Sequence, residues 1–185
     1  AAFRRAGETS STVRMRSMAN APGGDALLSE LKAVDTAYPL YGTMRLESGA
    51  RRGPPPQGAI WVGKDLASRL DLDVGERVKF GDRSFLIDGI IADEPDRLGE
   101  GFTLGPVAII GLADLPATRL IQPGSLFESK YRVRLPPGAN PEAVGKALTA
   151  EFPGAGWDIT DSSNGAPGTR RFIERMGQFL SLVGL

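Results

Sequence analysis

The sequence predicts an α+β fold, because short segments with strand periodicity alternate with short segments with helical periodicity. Apolar and charged residues alternate from Val78 to Phe80 and from Tyr131 to Leu135, which is typical of half-buried strands. The 24 glycines and 14 prolines among 185 residues interrupt long helices and favour turns. A helical bundle is therefore not expected.

The overall composition excludes several classes of function. With 41% hydrophobic residues, the chain can bury one core, or two small subdomains that share an interface. Its 22 basic and 22 acidic side chains balance, so nucleic acid is not an expected partner. Without cysteine or histidine, it has no disulfide, no thiolate and neither the commonest general base nor the commonest zinc ligand. Only carboxylate, lysine or tyrosine chemistry would then remain for an enzyme.

Individual elements can be placed from periodicity and capping signals. In chain order we expect a strand at 11–18, a short helical piece capped by Asp25, a strand at 60–62, a helix at 65–72, a hairpin of a curled sheet around the turn at 81–83, a buried strand at 106–111, a helix at 112–120 interrupted by Pro116, a strand at 131–135, a helix capped by Asn140, and a last strand at Trp157 and Ile159. The buried face predicted for the Asn140 helix contains Val144, Ala147, Leu148 and Phe152.

One segment is interpreted as a connection, and two short motifs are interpreted as loops or turns. Residues 47–58 contain three consecutive prolines and predict a surface connection rather than a central strand. The motifs YPLYG, residues 38–42, and PGSLF, residues 123–127, fit either partner-contact loops or packed turns. The sequence does not distinguish these two interpretations.

Two clusters of charge are candidate ligand sites. Asp93, Glu94, Asp96 and Glu100 offer oxygen ligands for Ca²⁺, but they lack the spacing of a calcium loop, so a solvated loop is favoured. The arginines Arg14, Arg16, Arg51, Arg52, Arg132 and Arg134 could gather around an anionic ligand or lipid headgroup. The wet face of a strand is the favoured interpretation for them. A hydrolase would require a carboxylate dyad or a lysine-activated serine in a pocket.

The C-terminal stretch changes character abruptly. A charged segment ending at Arg175 runs into the apolar residues from Met176 to Leu185. We expect residues 169–185 to begin a transmembrane helix, although an amphipathic helix closing a soluble core is the alternative. Since the sequence also opens without methionine, we expect an internal fragment of a longer membrane protein.

Several stretches resemble a known family. VGKDLASRLDLDVGERVKFGDRSFLIDGIIADEP, residues 62–95, is similar to the small insert in the periplasmic domain of FtsX-like and MacB-like permeases. KAVDTAYPLYGTMRL, EPDR, LADLPATRLIQPGS and RRFIERMGQFLSLVGL resemble the YbbP-type permeases, described as exporters linked to a lysophospholipase-type esterase. The resemblance extends from Ser10 to Leu185.

The resemblance implies a domain organisation. A porter-like β-α-β subdomain would comprise residues 1–46 and 124–168, interrupted by a small β-rich insert at 47–123. Residues 169–185 would be the start of a membrane span.

The resemblance also implies a function. The chain would be the extracytoplasmic domain of an ABC transporter permease in the bacterial inner membrane, with this domain in the periplasm. It would transmit the motion driven by a cytoplasmic ATP-binding subunit to a lipid, lipoprotein or other apolar cargo, to a second periplasmic domain, or to a periplasmic partner protein. No catalytic residues carry over, so the resemblance implies no enzyme and no catalytic, cofactor-binding or metal-binding residues. The alternative is a free-standing periplasmic module that binds a lipid or a peptide.

Overall fold

The computed structural model describes residues 2–95 and 105–160. Its elements are α1 (Ala2–Ala6), β1 (Glu8–Asn20), β2 (Ala26–Val34), β3 (Met44–Leu46), β4 (Gly49–Arg51), β5 (Ala59–Gly63), α2 (Lys64–Leu70), β6 (Arg77–Phe80), β7 (Arg83–Asp93), β8 (Val107–Gly111), a 3₁₀ helix (Leu112–Thr118), β9 (Glu128–Arg134) and α3 (Pro141–Glu151). The fold is α+β, as predicted. Residues 3–134 form one compact unit, and the described residues from 135 onward belong to a second. The predicted boundaries after residues 46, 123 and 168 stay predictions.

Six strands of the first unit close into a ring. β1 pairs with β2, β2 with β8, β8 with β5, β5 with β7 and β7 with β6, and β6 returns to β1. The pairings of β2 with β8 and of β5 with β7 are parallel, and the others in the ring are antiparallel. The closing contact is short, since Ala19 and Asn20 pair with Phe80 and Lys79. The hairpin of β3 and β4 extends the sheet from β7, and β9 pairs with β1.

β1 changes its buried face along its length. In its first half Ser10 and Thr12 are buried, whereas in its second half Met15, Ser17 and Ala19 are buried. Successive side chains of a strand point to opposite faces, so the two halves are covered from opposite sides. The second half faces the ring interior, where Met15 and Ala19 belong to the main core.

The ring interior is the main apolar core. Its largest fully buried side chains include Phe80, Phe85, Leu31, Ile60, Leu66, Ile87 and Ile110. α2 contributes Leu66 and Leu70 to this core, and the 3₁₀ helix contributes Leu115. The predicted helix at 65–72 and the predicted hairpin at 77–89 are therefore confirmed as core-forming elements.

A second apolar cluster, which we call the outer layer, combines residues of β2, β5, β7 and β8 with two residues of β3 and with Tyr38 from the segment after β2. It comprises Val34, Tyr38, Met44, Leu46, Trp61, Ile91 and Ile109. Because both faces of β5 are covered, all five of its residues are buried, which explains why AIWVG is a continuous apolar run. The indole Nε1 of Trp61 donates a hydrogen bond of 3.1 Å to Asp88.

The turn between β6 and β7 is held against the end of the 3₁₀ helix. The amide of Asp82 donates to the carbonyl of Thr118 at 2.9 Å. Gly81 has φ +55, and a Cβ at this position would lie 2.1 Å from the same carbonyl oxygen. Only glycine fits this backbone approach. The hydroxyl of the buried Thr118 donates to the carbonyl of Leu115 at 2.6 Å. This bond fixes the end of the 3₁₀ helix.

The second unit contains α3, whose start is as predicted. Asn140 caps the helix by accepting from the amides of Glu142 and Ala143 at 2.9 and 3.2 Å, and Pro141 occupies its first turn. The prediction that Val144, Ala147, Leu148 and Phe152 form a buried face is wrong, since α3 has no buried residue. The reason is that no strand lies beside α3 among the described residues of this unit.

Two further predicted elements are also wrong. No helix follows Asp25, because residues 26–34 are β2, a strand paired on both sides with β1 and β8. No strand forms at 157–159. Trp157 instead lies against Phe152, with ring centroids 5.3 Å apart, and no strand of the described residues pairs with this segment.

Other predictions hold with shifted bounds. The Pro116 segment is a 3₁₀ helix over Leu112–Thr118. The connection at 47–58 contributes β4, which is the terminal strand of the sheet path, so it avoids the sheet centre as expected. In the described ranges, no helix is both long and apolar enough to cross a membrane. The predicted membrane helix at 169–185 lies outside the described residues.

Replacing Gly81 by alanine should destabilise the protein by about 4 kcal/mol, because a buried backbone clash is added to the strain of a positive φ. Gly75→Ala is the matched control, since Gly75 also has a positive φ, of +96, but a Cβ added there would meet nothing within 4 Å; it should cost about 1 kcal/mol. Urea unfolding of the 185-residue chain measures both. Equal losses would show that Gly81 is under no steric constraint beyond its backbone conformation.

Candidate functional site

A cluster of buried polar side chains joins three parts of the first unit. The ammonium of Lys32 on β2 lies 2.6 Å from the carboxylate of Glu94 and 3.3 Å from the hydroxyl of Tyr38. That hydroxyl donates to the same Glu94 oxygen at 3.1 Å. Lys32 is completely buried, and Tyr38 and Glu94 are nearly so. We call these three residues the polar cluster.

The backbone around Lys32 explains why this charge is buried. Lys32 stands in the run from Leu31 to Val34, where all four side chains are buried because the ring core takes alternate residues and the outer layer takes the others. A buried ammonium requires a counter-charge and hydrogen-bond acceptors. Glu94 and Tyr38 supply both.

Asp35 positions Tyr38. Its carboxylate accepts from the amide of Ser11 at 2.7 Å, the hydroxyl of Ser10 at 3.0 Å and the amide of Ala37 at 3.1 Å. Its carbonyl accepts from the amide of Tyr38 at 3.2 Å. The turn after β2 is thereby fastened to β1, and Tyr38 is directed back over Lys32.

Glu94 is positioned by the exit of β7. The next residue, Pro95, packs against Gly42, where an added Cβ would lie 2.5 Å from the Cβ of Pro95. Gly42 has φ +76, a conformation that favours glycine. The segment containing Tyr38 and Gly42 therefore contacts Glu94 and Pro95 at two successive points.

Arginines of β1 and β9 lie near the polar cluster. Partial burial lowers the pKa of the Arg132 guanidinium, and Arg14 acts in the same direction, while Tyr38 and Glu94 oppose the change. Arg14 forms an ion pair of 2.6 Å with Glu30, and only 11% and 14% of these two side chains are exposed. The positive charge near the cluster is thus largely balanced by carboxylates.

The six arginines do not gather into one site. Arg14, Arg132 and Arg134 lie on the paired strands β1 and β9, whereas Arg51 is on β4 at the far end of the sheet path. Arg134 pairs with Glu8 at 2.8 Å and also donates to the carbonyl of Leu40. Arg134 is 46% exposed and paired with Glu8, which fits the wet-face interpretation. That interpretation is wrong for Arg14, which forms a largely buried ion pair with Glu30.

The interpretation of the acidic cluster as a solvated loop is wrong for Glu94. Its carboxylate is buried on Lys32, because the buried ammonium needs a counter-charge, while Asp93 is exposed. Asp96 and Glu100 lie outside the described residues. Sequence reasoning missed the Lys32–Glu94 pair, and the available signal was a lysine within the apolar run LKAV.

The groups of the polar cluster bind one another and are not arranged as the lysine-activated serine of a hydrolase. The Lys32 ammonium is engaged by a carboxylate at 2.6 Å, and the buried hydroxyl of Ser10 donates to Asp35. The geometry therefore ties three chain segments together. It does not present Lys32 as a base to a serine.

A second feature is an exposed apolar loop, residues 119–127, which we call the 119–127 loop. It connects the 3₁₀ helix to β9. Leu126 is 93% exposed, and Ile121 and Phe127 are 42% and 46% exposed. Of the two candidate contact motifs, PGSLF is therefore at the surface, whereas YPLYG contributes the buried Tyr38 and Leu40 and exposes Tyr41.

The 119–127 loop is ordered by its own hydrogen bonds. The amide of Ser125 donates to the carbonyl of Gln122 at 2.9 Å, and Pro123 and Gly124, with φ +91 at Gly124, are the residues that such a turn favours. The Ser125 hydroxyl accepts from the amide of Gln122 at 2.9 Å and donates to the carbonyl of Leu120 at 2.8 Å. Both ends are fixed, at Leu120 against the ring core and at Glu128 in β9.

The second unit has a shallow groove of about 450 Å³ along α3. Its lining includes Gly145, Ile159, Glu142 and Lys146. Glu142 and Lys146 form an ion pair of 2.7 Å across one helical turn. The groove therefore has a charged rim.

Comparison with known proteins gives consistent matches. The model of the MacB-like periplasmic core domain family matches residues 2–151. An uncharacterized ABC transporter permease of Escherichia coli K12, YbbP, is 30% identical over 167 residues, which are 88% of this chain and 20% of that protein. The chain thus spans about a fifth of this relative's length.

Two solved structures share the fold. The periplasmic region of MacB from Actinobacillus actinomycetemcomitans superposes with a TM-score of 0.53 at 15% identity, covering 78% of this chain and 65% of that one. The extracellular domain of the noncanonic ABC-type transporter YknZ from Gram-positive bacteria gives a TM-score of 0.54 at 10% identity, covering 79% and 76%.

Glu94→Gln should destabilise the chain by about 3–5 kcal/mol, because it leaves the buried Lys32 ammonium without a counter-charge. Glu47→Gln is the matched control, since Glu47 pairs with Lys64 at 2.9 Å with both side chains more than half exposed; it should cost less than about 1 kcal/mol. The double variant Lys32→Met/Glu94→Leu should recover most of the loss. Chemical unfolding of the wild type and the three variants tests this, and similar values for the two glutamine variants would contradict it.

Proposed function

The chain belongs to the family of MacB-like periplasmic core domains, and from this membership we propose that it is the extracytoplasmic part of an inner-membrane ABC transporter permease that passes on ATP-driven motion. A cytoplasmic ATP-binding subunit supplies the motion. The receiver is a lipid, lipoprotein or other apolar cargo that is exported or extracted, or a periplasmic partner. Two relatives support this proposal: YbbP is an ABC transporter permease, and YknZ is an ABC-type transporter.

One observation carries the proposal: the first unit has its first and last strands side by side. β1 and β9 are antiparallel neighbours, and Glu8 is the register partner of Arg134, with a 2.8 Å ion pair between the two side chains. The chain thus enters and leaves this unit at one place. Ends that lie side by side are compatible with a domain inserted between two consecutive membrane segments.

The sheet supports transmission of motion. Strands from Glu8 to Arg134 belong to one hydrogen-bonded sheet, and a ring of strands resists bending because displacement of one strand strains its two neighbours. The polar cluster fastens the outer layer to the ring. We therefore expect a displacement of β1 and β9 to move the whole unit with little deformation inside it.

The domain organisation belongs to the same proposal. Residues 1–46 and 124–168 form the porter-like part, residues 47–123 the insert, and residues 169–185 the start of a membrane helix. No residue is assigned a catalytic, cofactor or metal role in this scheme. Three parts of the proposal depend on the permease assignment: the periplasmic location, the ATP-binding subunit and the cargo.

Protease added to spheroplasts that express the full-length gene product should release a soluble fragment containing residues 8–134, while the remainder stays in the membrane. The reason is that the proposed location exposes this unit outside the inner membrane. An intact cytoplasmic ATP-binding subunit serves as the control for sealed membranes. Recovery of the whole product in the soluble fraction would instead support a free-standing lipid- or peptide-binding module.

The purified 185-residue chain should show no saturable heat of ATP binding in calorimetry, because the nucleotide site is assigned to another polypeptide. The isolated ATP-binding subunit, titrated under the same conditions, is the positive control. Saturable binding by the chain itself would overturn the permease-domain assignment.

A further inference from the structure

We propose that the end of the first unit where β1 begins and β9 ends rests on a bilayer surface that contains anionic phospholipids. The inference rests on the proposed insertion of this unit between two membrane segments, and it adds the lipid chemistry that this end recognises. The surface comprises residues 3–9 and 129–134 together with Tyr41, and we call it the basic end.

The fold brings the two segments of the basic end together. Glu8, the first residue of β1, is the register partner of Arg134, the last residue of β9. α1 ends at Ala6, just before β1 begins. Charges from the two ends of the unit therefore combine on one surface, and this is the surface nearest to a membrane segment that precedes β1.

The basic end differs in charge from the chain as a whole. The chain has 22 basic and 22 acidic side chains, whereas the two segments contain a single carboxylate, that of Glu8, and five cations. The cations are Arg4, Arg5, Lys130, Arg132 and Arg134. Clusters of roughly four to eight basic residues next to a membrane segment attract anionic headgroups. The charge of the basic end is thus complementary to such a surface.

Two of the five cations are the best placed to meet lipid phosphates. Arg134 is paired with Glu8 at 2.8 Å, and Arg132 is partly buried. Arg4 and Arg5 are exposed on α1, which contains no acidic residue. A guanidinium binds phosphate oxygens in a bidentate geometry. We therefore assign the headgroup contact to Arg4 and Arg5.

The exposed tyrosines of the protein also lie at the basic end. The sequence contains three tyrosines, of which Tyr38 is buried, while Tyr41 and Tyr131 are 52% and 48% exposed. A tyrosine combines an apolar ring with a polar hydroxyl, and it is therefore favoured at the boundary between headgroups and acyl chains.

Both exposed rings are held in place by neighbouring side chains. The guanidinium of Arg134 lies 4.7 Å from the ring centroid of Tyr41 and also donates to the carbonyl of Leu40. Tyr131 stacks on Phe3, with ring centroids 4.8 Å apart and an interplanar angle of 17°. Because these contacts order the rings without lipid, contact with a bilayer costs little side-chain entropy.

Partitioning of the purified 185-residue chain onto lipid vesicles tests the proposal. Vesicles of phosphatidylcholine are compared with vesicles of an equal mixture of phosphatidylcholine and phosphatidylglycerol. Residues 176–185 are apolar and favour both compositions, so the measured quantity is the ratio of the two partition coefficients. This ratio should be roughly ten in favour of the mixed vesicles. It should approach one at about 1 M salt, where the Debye length is about 3 Å.

The double variant Arg4→Gln/Arg5→Gln should lower this ratio by roughly tenfold, because it removes the two assigned phosphate contacts. Arg51→Gln/Arg52→Gln is the matched control, since it also removes two exposed arginines, at or next to β4 at the terminus of the sheet path. The control should leave the ratio unchanged. A wild-type ratio of one overturns the proposal, and so do equal reductions in the two double variants.

Tyr41→Ser should lower partitioning onto the mixed vesicles by roughly threefold, because an apolar ring is lost from the contact region. Phe127→Ser is the matched control, since Phe127 is an aromatic residue of similar exposure, 46%, that precedes the opposite end of β9. It should leave partitioning unchanged. Equal losses in the two serine variants overturn the assignment of the basic end as the surface that faces the bilayer.

Failure of the proposed function has a separate signature, because the vesicles contain neither the rest of the permease nor an ATP-binding subunit. Recovery of the whole gene product in the soluble fraction contradicts membrane insertion, and selective partitioning of the purified chain then retains the basic end as a site of peripheral attachment. Release of the periplasmic fragment together with a partition ratio of one overturns the lipid surface alone.

Discussion

The first unit depends on closure of the ring between β1 and β6. Two residue pairs make this contact, Ala19 with Phe80 and Asn20 with Lys79, and Ala19 and Phe80 are both fully buried. Closure encloses the apolar side chains of six strands and fixes the β6–β7 turn against the 3₁₀ helix. The 119–127 loop starts from that same turn contact, so its position at the surface follows from closure of the ring.

The polar cluster and the main core have different roles. Burial of apolar side chains in the ring stabilises the fold without requiring a particular orientation of the groups in contact. The Lys32–Glu94 pair requires a defined geometry, and burying its two charges carries a desolvation penalty. Such a pair contributes little net stability but selects one arrangement of the chain. In this protein it determines where the segment after β2 and the exit of β7 meet, and hence how the outer layer lies on the ring.

Sequence patterns predicted correctly those elements that depend on residues close together in the chain. The β6–β7 hairpin and the Asn140 cap depend on neighbouring residues, and both are present as expected. The strand after Asp25 was missed because ALLSELKAV consists largely of good helix formers, and its pairing with β1 and β8 overrides that preference. Glu94 resembled part of a solvated acidic loop, since its partner Lys32 is also distant in sequence. The exposure of Leu126 likewise depends on tertiary structure, because the PGSLF motif fits a packed turn equally well.

The neighbouring positions of Glu8 and Arg134 have a consequence for how such a unit spreads among proteins. Its two ends are as close as adjacent strands allow, so inserting it into a surface loop of a host would neither stretch the host nor open the ring. The unit can therefore be exchanged as a whole at a single junction. A lineage could therefore change the loops it displays while leaving the surrounding protein unaltered.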